Sequence, residues 1–162
     1  IVHLDIKPQN IIMSGPARLI DMSLARRTDQ LPAISSAIGT PKYMAPEQSD
    51  PARFHRLGPA TDVWGIGAAL YWTLAKRSPF PATKSDAPLL EERYPQLVHD
   101  PAPLPDSVPA DLSGLVRAML ARDPDDRPTA REVLDALEPM AAALPQPRLG
   151  RFRVKRRPPR RA

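Results

Sequence analysis

Hydrophobic and polar positions along the chain fall into several distinct textures. Residues 61–76 are apolar almost all round, from Val63 and Trp64 through Ala68, Ala69 and Leu70 to Leu74. That pattern predicts a helix buried on every side. Gly65 and Gly67 lie inside it, at about 1 kcal/mol each relative to alanine, so close backbone packing is expected there. Leu112, Leu115, Val116, Met119 and Leu120 recur at i, i+3, i+4, i+7 and i+8. This predicts an amphipathic helix that Asp123-Pro124 should end. Thr129-Ala130-Arg131-Glu132 reads as a capping box. It opens a last helix with Val133, Leu134 and Leu137 expected on one face.

The opening third has a different texture. Ile1-Val2-His3 is a short apolar start, read as a strand end. Ile11-Ile12-Met13 and Arg18-Leu19-Ile20 are apolar runs separated by Ser14-Gly15-Pro16-Ala17, which is turn chemistry. A small hairpin follows, with Asn10 at one end and Asp21 at the other. Residues 22–47 show neither period and are expected to form a long loop, a feature associated with function or disorder. Residues 78–108 are proline-rich, with one weak helical patch around Leu89 to Leu97. The predicted fold class is therefore mainly α with a small β-hairpin, and no internal repeat is evident.

Composition changes this picture in two places. Proline makes up 22 of 162 residues, well above the usual ~5%, and stiffens the connections. The net charge of +5 is a property of the tail: residues 145–162 hold eight of the 23 Lys and Arg residues and no acid. The remainder has 15 basic against 18 acidic residues, a net of −3. The tail, from Arg148 to Arg161, is too polar to bury a core and is expected to be disordered. It is read as a solubilising segment, with non-specific attraction to anionic lipid or nucleic acid as the alternative. Cysteine is absent, which excludes disulfides and thiolate metal sites and fits a cytoplasmic location. No run of 18 apolar residues occurs, so no transmembrane helix is predicted.

The candidate chemistry lies in a series of motifs in fixed order. His3-Leu4-Asp5-Ile6-Lys7-Pro8-Gln9-Asn10 comes first and Asp21 follows. Then come Gly39-Thr40-Pro41-Lys42-Tyr43-Met44-Ala45-Pro46-Glu47, Asp62-Val63-Trp64-Gly65 and Arg127-Pro128. Any one alone would be an ordinary loop or helix start; the order is what is specific. Carboxylate, amide and carboxylate suit phosphoryl transfer, which needs an oriented hydroxyl, a proton acceptor and hard oxygen ligands for metal ions.

The series resembles the eukaryotic-like Ser/Thr protein kinase superfamily, and the Ala, Arg and Pro content suggests a bacterial branch. The resemblance covers residues 1–138, the C-terminal lobe of that domain, with 139–162 as a Pro/Arg-rich basic tail. It implies a helical bundle whose hairpin carries the catalytic loop (residues 3–10) and leads into an activation segment (residues 21–47). It implies ATP and Mg2+ as cofactors and protein Ser/Thr hydroxyls as acceptors. By resemblance, Asp5 is the catalytic aspartate and Lys7 contacts the γ-phosphate. Asn10 and Asp21 are the metal and nucleotide ligands, and Thr40 belongs to the substrate-docking end of the segment. Glu47 and Arg127 resemble a structural ion pair, and Asp62 a structural aspartate that holds the catalytic-loop backbone.

The chain also departs from the pattern. Leucine stands at position 4 where the family usually has an arginine that pairs with activation-loop phosphate. Ser35, Ser36 and Thr40 remain candidate acceptors. Asp21-Met22-Ser23 replaces Asp-Phe-Gly, and serine loses glycine's easy access to positive φ. No Gly-rich loop or strand lysine precedes Asp5, so the chain reads as a fragment that needs an N-terminal lobe from its parent and is inactive alone. Two rivals to the enzyme stay open: a non-catalytic pseudokinase-like interaction module, and an inactive truncated fragment.

Overall fold

The computed structural model describes residues 1–13, 16–82 and 85–144. Val2 makes an isolated antiparallel bridge to Arg26, with N···O distances of 2.8 and 2.9 Å. Strands β1 (Ile11–Ile12) and β2 (Arg18–Leu19) pair antiparallel, Ile11 opposite Leu19 and Ile12 opposite Arg18. Among the described residues six α-helices follow: α1 (Pro46–Ser49), α2 (Pro51–Phe54), α3 (Pro59–Ala75), α4 (Leu90–Arg93), α5 (Ala110–Met119) and α6 (Ala130–Ala142). The fold is mainly α with one two-stranded hairpin, as the pattern predicts.

Helix α3 is the axis. Pro59 occupies its first turn, where a missing N–H costs nothing, and Lys76 closes it in the left-handed region at φ 54°. Val63, Trp64, Ala68, Ala69 and Tyr71 are buried, and the Trp64 ring stacks on Phe80 at 5.6 Å between centroids. Both helix glycines mark close approaches. A Cβ on Gly65 would lie 3.0 Å from the Ile6 Cβ, and one on Gly67 would lie 2.9 Å from the Met119 Cβ. The backbone around Ile6 is thus seated against one side of α3 and helix α5 against another.

Three expectations need correction. Helix α5 ends at Met119, several residues before Asp123-Pro124. The carbonyls of Ala121 and Arg122 accept from the Arg127 guanidinium at 2.8 and 3.1 Å, which draws that stretch out of the helix. In α6, Val133 is buried and Leu137 packs beside it, but Leu134 is 47% exposed. One residue along a helix is a rotation of about 100°, and the stripe meeting α3 and α5 is too narrow to include Leu134. Helix α6 also continues to Ala142 through Pro139, so residues 139–142, read as the start of the tail, are helical. The basic residues from Arg148 onward lie outside the described residues. The capping box is present: Thr129 N–H donates to Glu132 Oε2 at 2.7 Å and Glu132 N–H to Thr129 Oγ1 at 3.2 Å.

The segment at 22–47 is more structured than its lack of period suggests. It holds 3-10 turns at Met22–Leu24 and Thr28–Ala33. Leu31 is buried with Val2 and Leu4, and Leu24, Ile34, Ile38 and Leu57 pack around them. Among the described residues, no helix is long and apolar enough to cross a membrane.

Candidate active site

Four of the expected side chains meet. Lys7 Nζ donates to Asp5 Oδ2 at 2.6 Å and to Thr40 Oγ1 at 2.9 Å. The Thr40 hydroxyl in turn donates to Asp5 Oδ1 at 2.6 Å. Asn10 Nδ2 donates to the Asp5 carbonyl at 2.9 Å and to Oδ2 at 3.2 Å. With its nitrogen committed in this way, Asn10 has its amide oxygen left to meet a cation. Burial would push the Asp5 carboxyl up, but hydrogen bonds from Lys7, Thr40 and Asn10, with the Lys7 charge, hold it below its ordinary value. Asp5 is therefore ionised at neutral pH and oriented by three donors.

Asp21 stands beside this network without a side-chain bond into it. Its position is set through the backbone: Ile20 N–H donates to the Asn10 carbonyl at 2.9 Å. The carboxylate is exposed, and the Ser23 hydroxyl together with the Ser23 N–H, the latter at 3.3 Å, holds its pKa below the ordinary value. The hairpin thus brings Asn10 and Asp21 to one edge, as its spacing predicts. The positive φ in this stretch belongs to Asp21, at 64°, while Ser23 sits in a right-handed 3-10 turn. Serine in place of glycine therefore carries no backbone penalty in this conformation.

The loop bearing Asp5 is held from behind by Asp62, one turn into α3. Its carboxylate accepts from the N–H groups of His3 at 2.7 Å and Leu4 at 3.0 Å. Burial pushes the Asp62 carboxyl up, and these two bonds offset that only in part. His3, also buried, accepts from the Asp5 N–H at Nδ1 (3.3 Å) and lies 3.2 Å from the Ile20 carbonyl at Nε2. The two bonds suit an imidazole with its hydrogen on Nε2. His3 thereby links the loop bearing Asp5 to the strand leading into Asp21. The motif containing His3 was visible in the sequence, but nothing there indicated this second bond.

The remaining two predicted residues form the buried pair. Arg127 Nη1 meets Glu47 Oε1 at 2.6 Å and Nη2 meets Oε2 at 2.9 Å. The other guanidinium hydrogens go to the carbonyls of Ala60, Ala121 and Arg122. All five donors are therefore used. Thr61 adds a bond to Glu47 at 2.9 Å, and the guanidinium lies 4.9 Å from the Trp64 ring centroid. The pair touches nothing in the Asp5 network.

Among the described residues, no group of three or more His, Cys, Asp or Glu side chains could hold a metal ion unaided. Asn10 and Asp21 fit Mg2+ all the same, because that ion is bound by one or two protein oxygens with phosphates and water completing its shell.

The protein kinase domain family matches residues 1–137. The chain is 38% identical over 141 residues to the probable serine/threonine-protein kinase PkwA of Thermomonospora curvata, covering 85% of this chain and 18% of that protein. It is 32% identical over 141 residues to serine/threonine-protein kinase 17A of Oryctolagus cuniculus (83% of this chain, 34% of that protein). It is 36% identical over 132 residues to the dual specificity mitogen-activated protein kinase kinase mek-1 of Caenorhabditis elegans (79% and 36%). The chain thus spans about a fifth to a third of these relatives' lengths. With the family match running over residues 1–137, this chain belongs to the protein kinase family.

Proposed function

We propose that these residues form the catalytic half of a Ser/Thr protein kinase, which moves the γ-phosphoryl group of ATP to a Ser or Thr hydroxyl of a protein. The observation that carries this is the closed network of Asp5, Lys7, Thr40 and Asn10. In phosphoryl transfer a protein mostly positions reactants and neutralises charge. Asp5, ionised and fixed in direction, orients the acceptor hydroxyl and takes its proton as the new O–P bond forms and the bond from the γ-phosphorus to the bridging oxygen breaks, releasing ADP. Lys7 is tied to Asp5 and Thr40 by hydrogen bonds at the surface, so it can turn a charge toward the transferred group. Thr40 keeps the substrate-docking end of the segment in register with Asp5. Asn10 and Asp21 supply the oxygens for Mg2+, which when bound draws charge from the phosphates. The use of ATP points to a cytoplasmic site of action.

Asp5→Asn in the longest natural chain containing these residues is the direct test. Phosphate transfer to a Ser/Thr protein substrate should fall by about 10²–10⁴, with the thermal midpoint little changed. Wild-type transfer in that variant would remove Asp5 from the chemistry. A parent chain that neither transfers phosphate nor gains stability from Mg-ATP would favour an interaction module instead.

A further inference from the structure

Gln48 lies in α1, immediately after Glu47, and only 3% of it is exposed. Its side-chain amide reaches two segments far apart in sequence. Nε2 donates to the Leu4 carbonyl at 2.7 Å and to the Ile38 carbonyl at 2.9 Å. Oε1 accepts from the Ala45 N–H at 3.1 Å. The Gln48 backbone carbonyl also accepts from the Ile38 N–H at 3.2 Å. One residue therefore grips Leu4, directly before Asp5, and Ile38, two before Thr40.

Gly39 supplies an independent sign of how tight this junction is. It sits at φ 121°, and a Cβ there would fall 2.9 Å from the Leu4 carbonyl oxygen and 3.0 Å from Gln48 Nε2. The main chain passes so close to the amide that only glycine fits. Neither end of the link is charged, and Leu4 itself points into the apolar cluster with Leu31. Among side chains of this length, only glutamine offers two coplanar N–H donors and an acceptor on one head.

We propose that Gln48 is a positioning residue for phosphoryl transfer. It couples the catalytic loop to the activation segment so that the Thr40 hydroxyl stays on the Asp5 carboxylate. This rests on the kinase function proposed above. The coupling works through neutral amide bonds and apolar packing, and needs no phosphate on the segment.

The test uses the longest natural chain containing these residues, with two variants. Gln48→Glu keeps size and the acceptor for Ala45 but loses the paired donors. Gln48→Met is neutral and guards against an effect of charge alone. In either folded variant, kcat per folded molecule should fall about tenfold or more while KM for ATP stays within about twofold. Amide hydrogen exchange at Ile38, Gly39 and Thr40 should speed up about tenfold or more, with α5 and α6 unaffected. A lowered melting point with wild-type kcat per folded molecule would reduce Gln48 to a structural amide and overturn the proposal. So would wild-type exchange at residues 38–40. If the wild-type chain transfers no phosphate, the proposed function falls, and the exchange comparison still decides whether Gln48 couples the two segments.

Discussion

Asp5 with Lys7 and Glu47 with Arg127 are both carboxylate–cation pairs closed at 2.6 Å, but their surroundings make them different objects. Arg127 and Glu47 are 0% and 1% exposed, bidentate, and bonded at every remaining hydrogen. Lys7 is 21% exposed, makes one contact to Asp5 and shares it with Thr40. A buried guanidinium with five partners has nowhere to go. An ammonium at the rim trades one oxygen for another at little cost, since water and a phosphate oxygen are both acceptable partners. The same pairing is architectural where water is excluded and exchangeable where water can enter.

Removing a partner from the buried pair should have the largest effect. Arg127→Ala strands the Glu47 charge and should cost about 3–5 kcal/mol in urea unfolding. A loss below about 1 kcal/mol would show that the two pairs do not differ as described. Lys7→Met sharpens the contrast from the other side. It should lower kcat about 10²–10³-fold while moving the unfolding midpoint far less than Arg127→Ala does. Gly67→Ala probes the packing that seats α5. Its added methyl would meet the Met119 Cβ at 2.9 Å, and overpacking of about 1–3 kcal/mol outweighs the gain in helix propensity of about 1 kcal/mol. Thermal unfolding should register a net loss of up to about 2 kcal/mol.

The smallest effect is one of pH. The folded-state pKa of Asp5 lies below its unfolded value. Its contribution is therefore present above the unfolded value and fades as pH falls through the folded one. Asp62 is shifted up, so its contribution is full in acid and is lost as pH rises through its folded value. The stability difference between wild type and Asp5→Asn should accordingly narrow on titration from neutral pH to below the ordinary aspartate range. A difference that stayed constant across that range would show that the Asp5 carboxylate gains nothing from its donors.

What could be read beforehand follows from how each feature is encoded. Helix α5 announces itself by period, α6 by its capping box, α3 by a run apolar almost all round, and the hairpin by two apolar runs around turn residues. Asp5, Lys7, Asn10, Asp21 and Thr40 stand in a recognisable order. Gln48 and Gln96 were not visible. A glutamine outside any apolar stripe looks solvated, yet both are buried and serve as cross-links, Gln96 to the Met44 carbonyl and Ser49 hydroxyl at 3.0 Å each. Apart from the Ser49 hydroxyl, their partners are backbone atoms, which leave no residue-specific mark. The early end of α5 was hidden for the same reason, because its cause is an arginine taking carbonyls from five and six residues upstream.

Leu4 holds a main-chain torsion of 67° that favours glycine, in a spot that demands a branched hydrocarbon. A left-handed leucine stores about 1–2 kcal/mol, and the Asp62 carboxylate on one side and the Gln48 amide on the other hold that twist in place. The aim of Asp5 is thus set by the torsion of its neighbour. Glycine at position 4 would release the twist but leave a hole beneath the loop, and a β-branched residue would fill the hole but resist the twist.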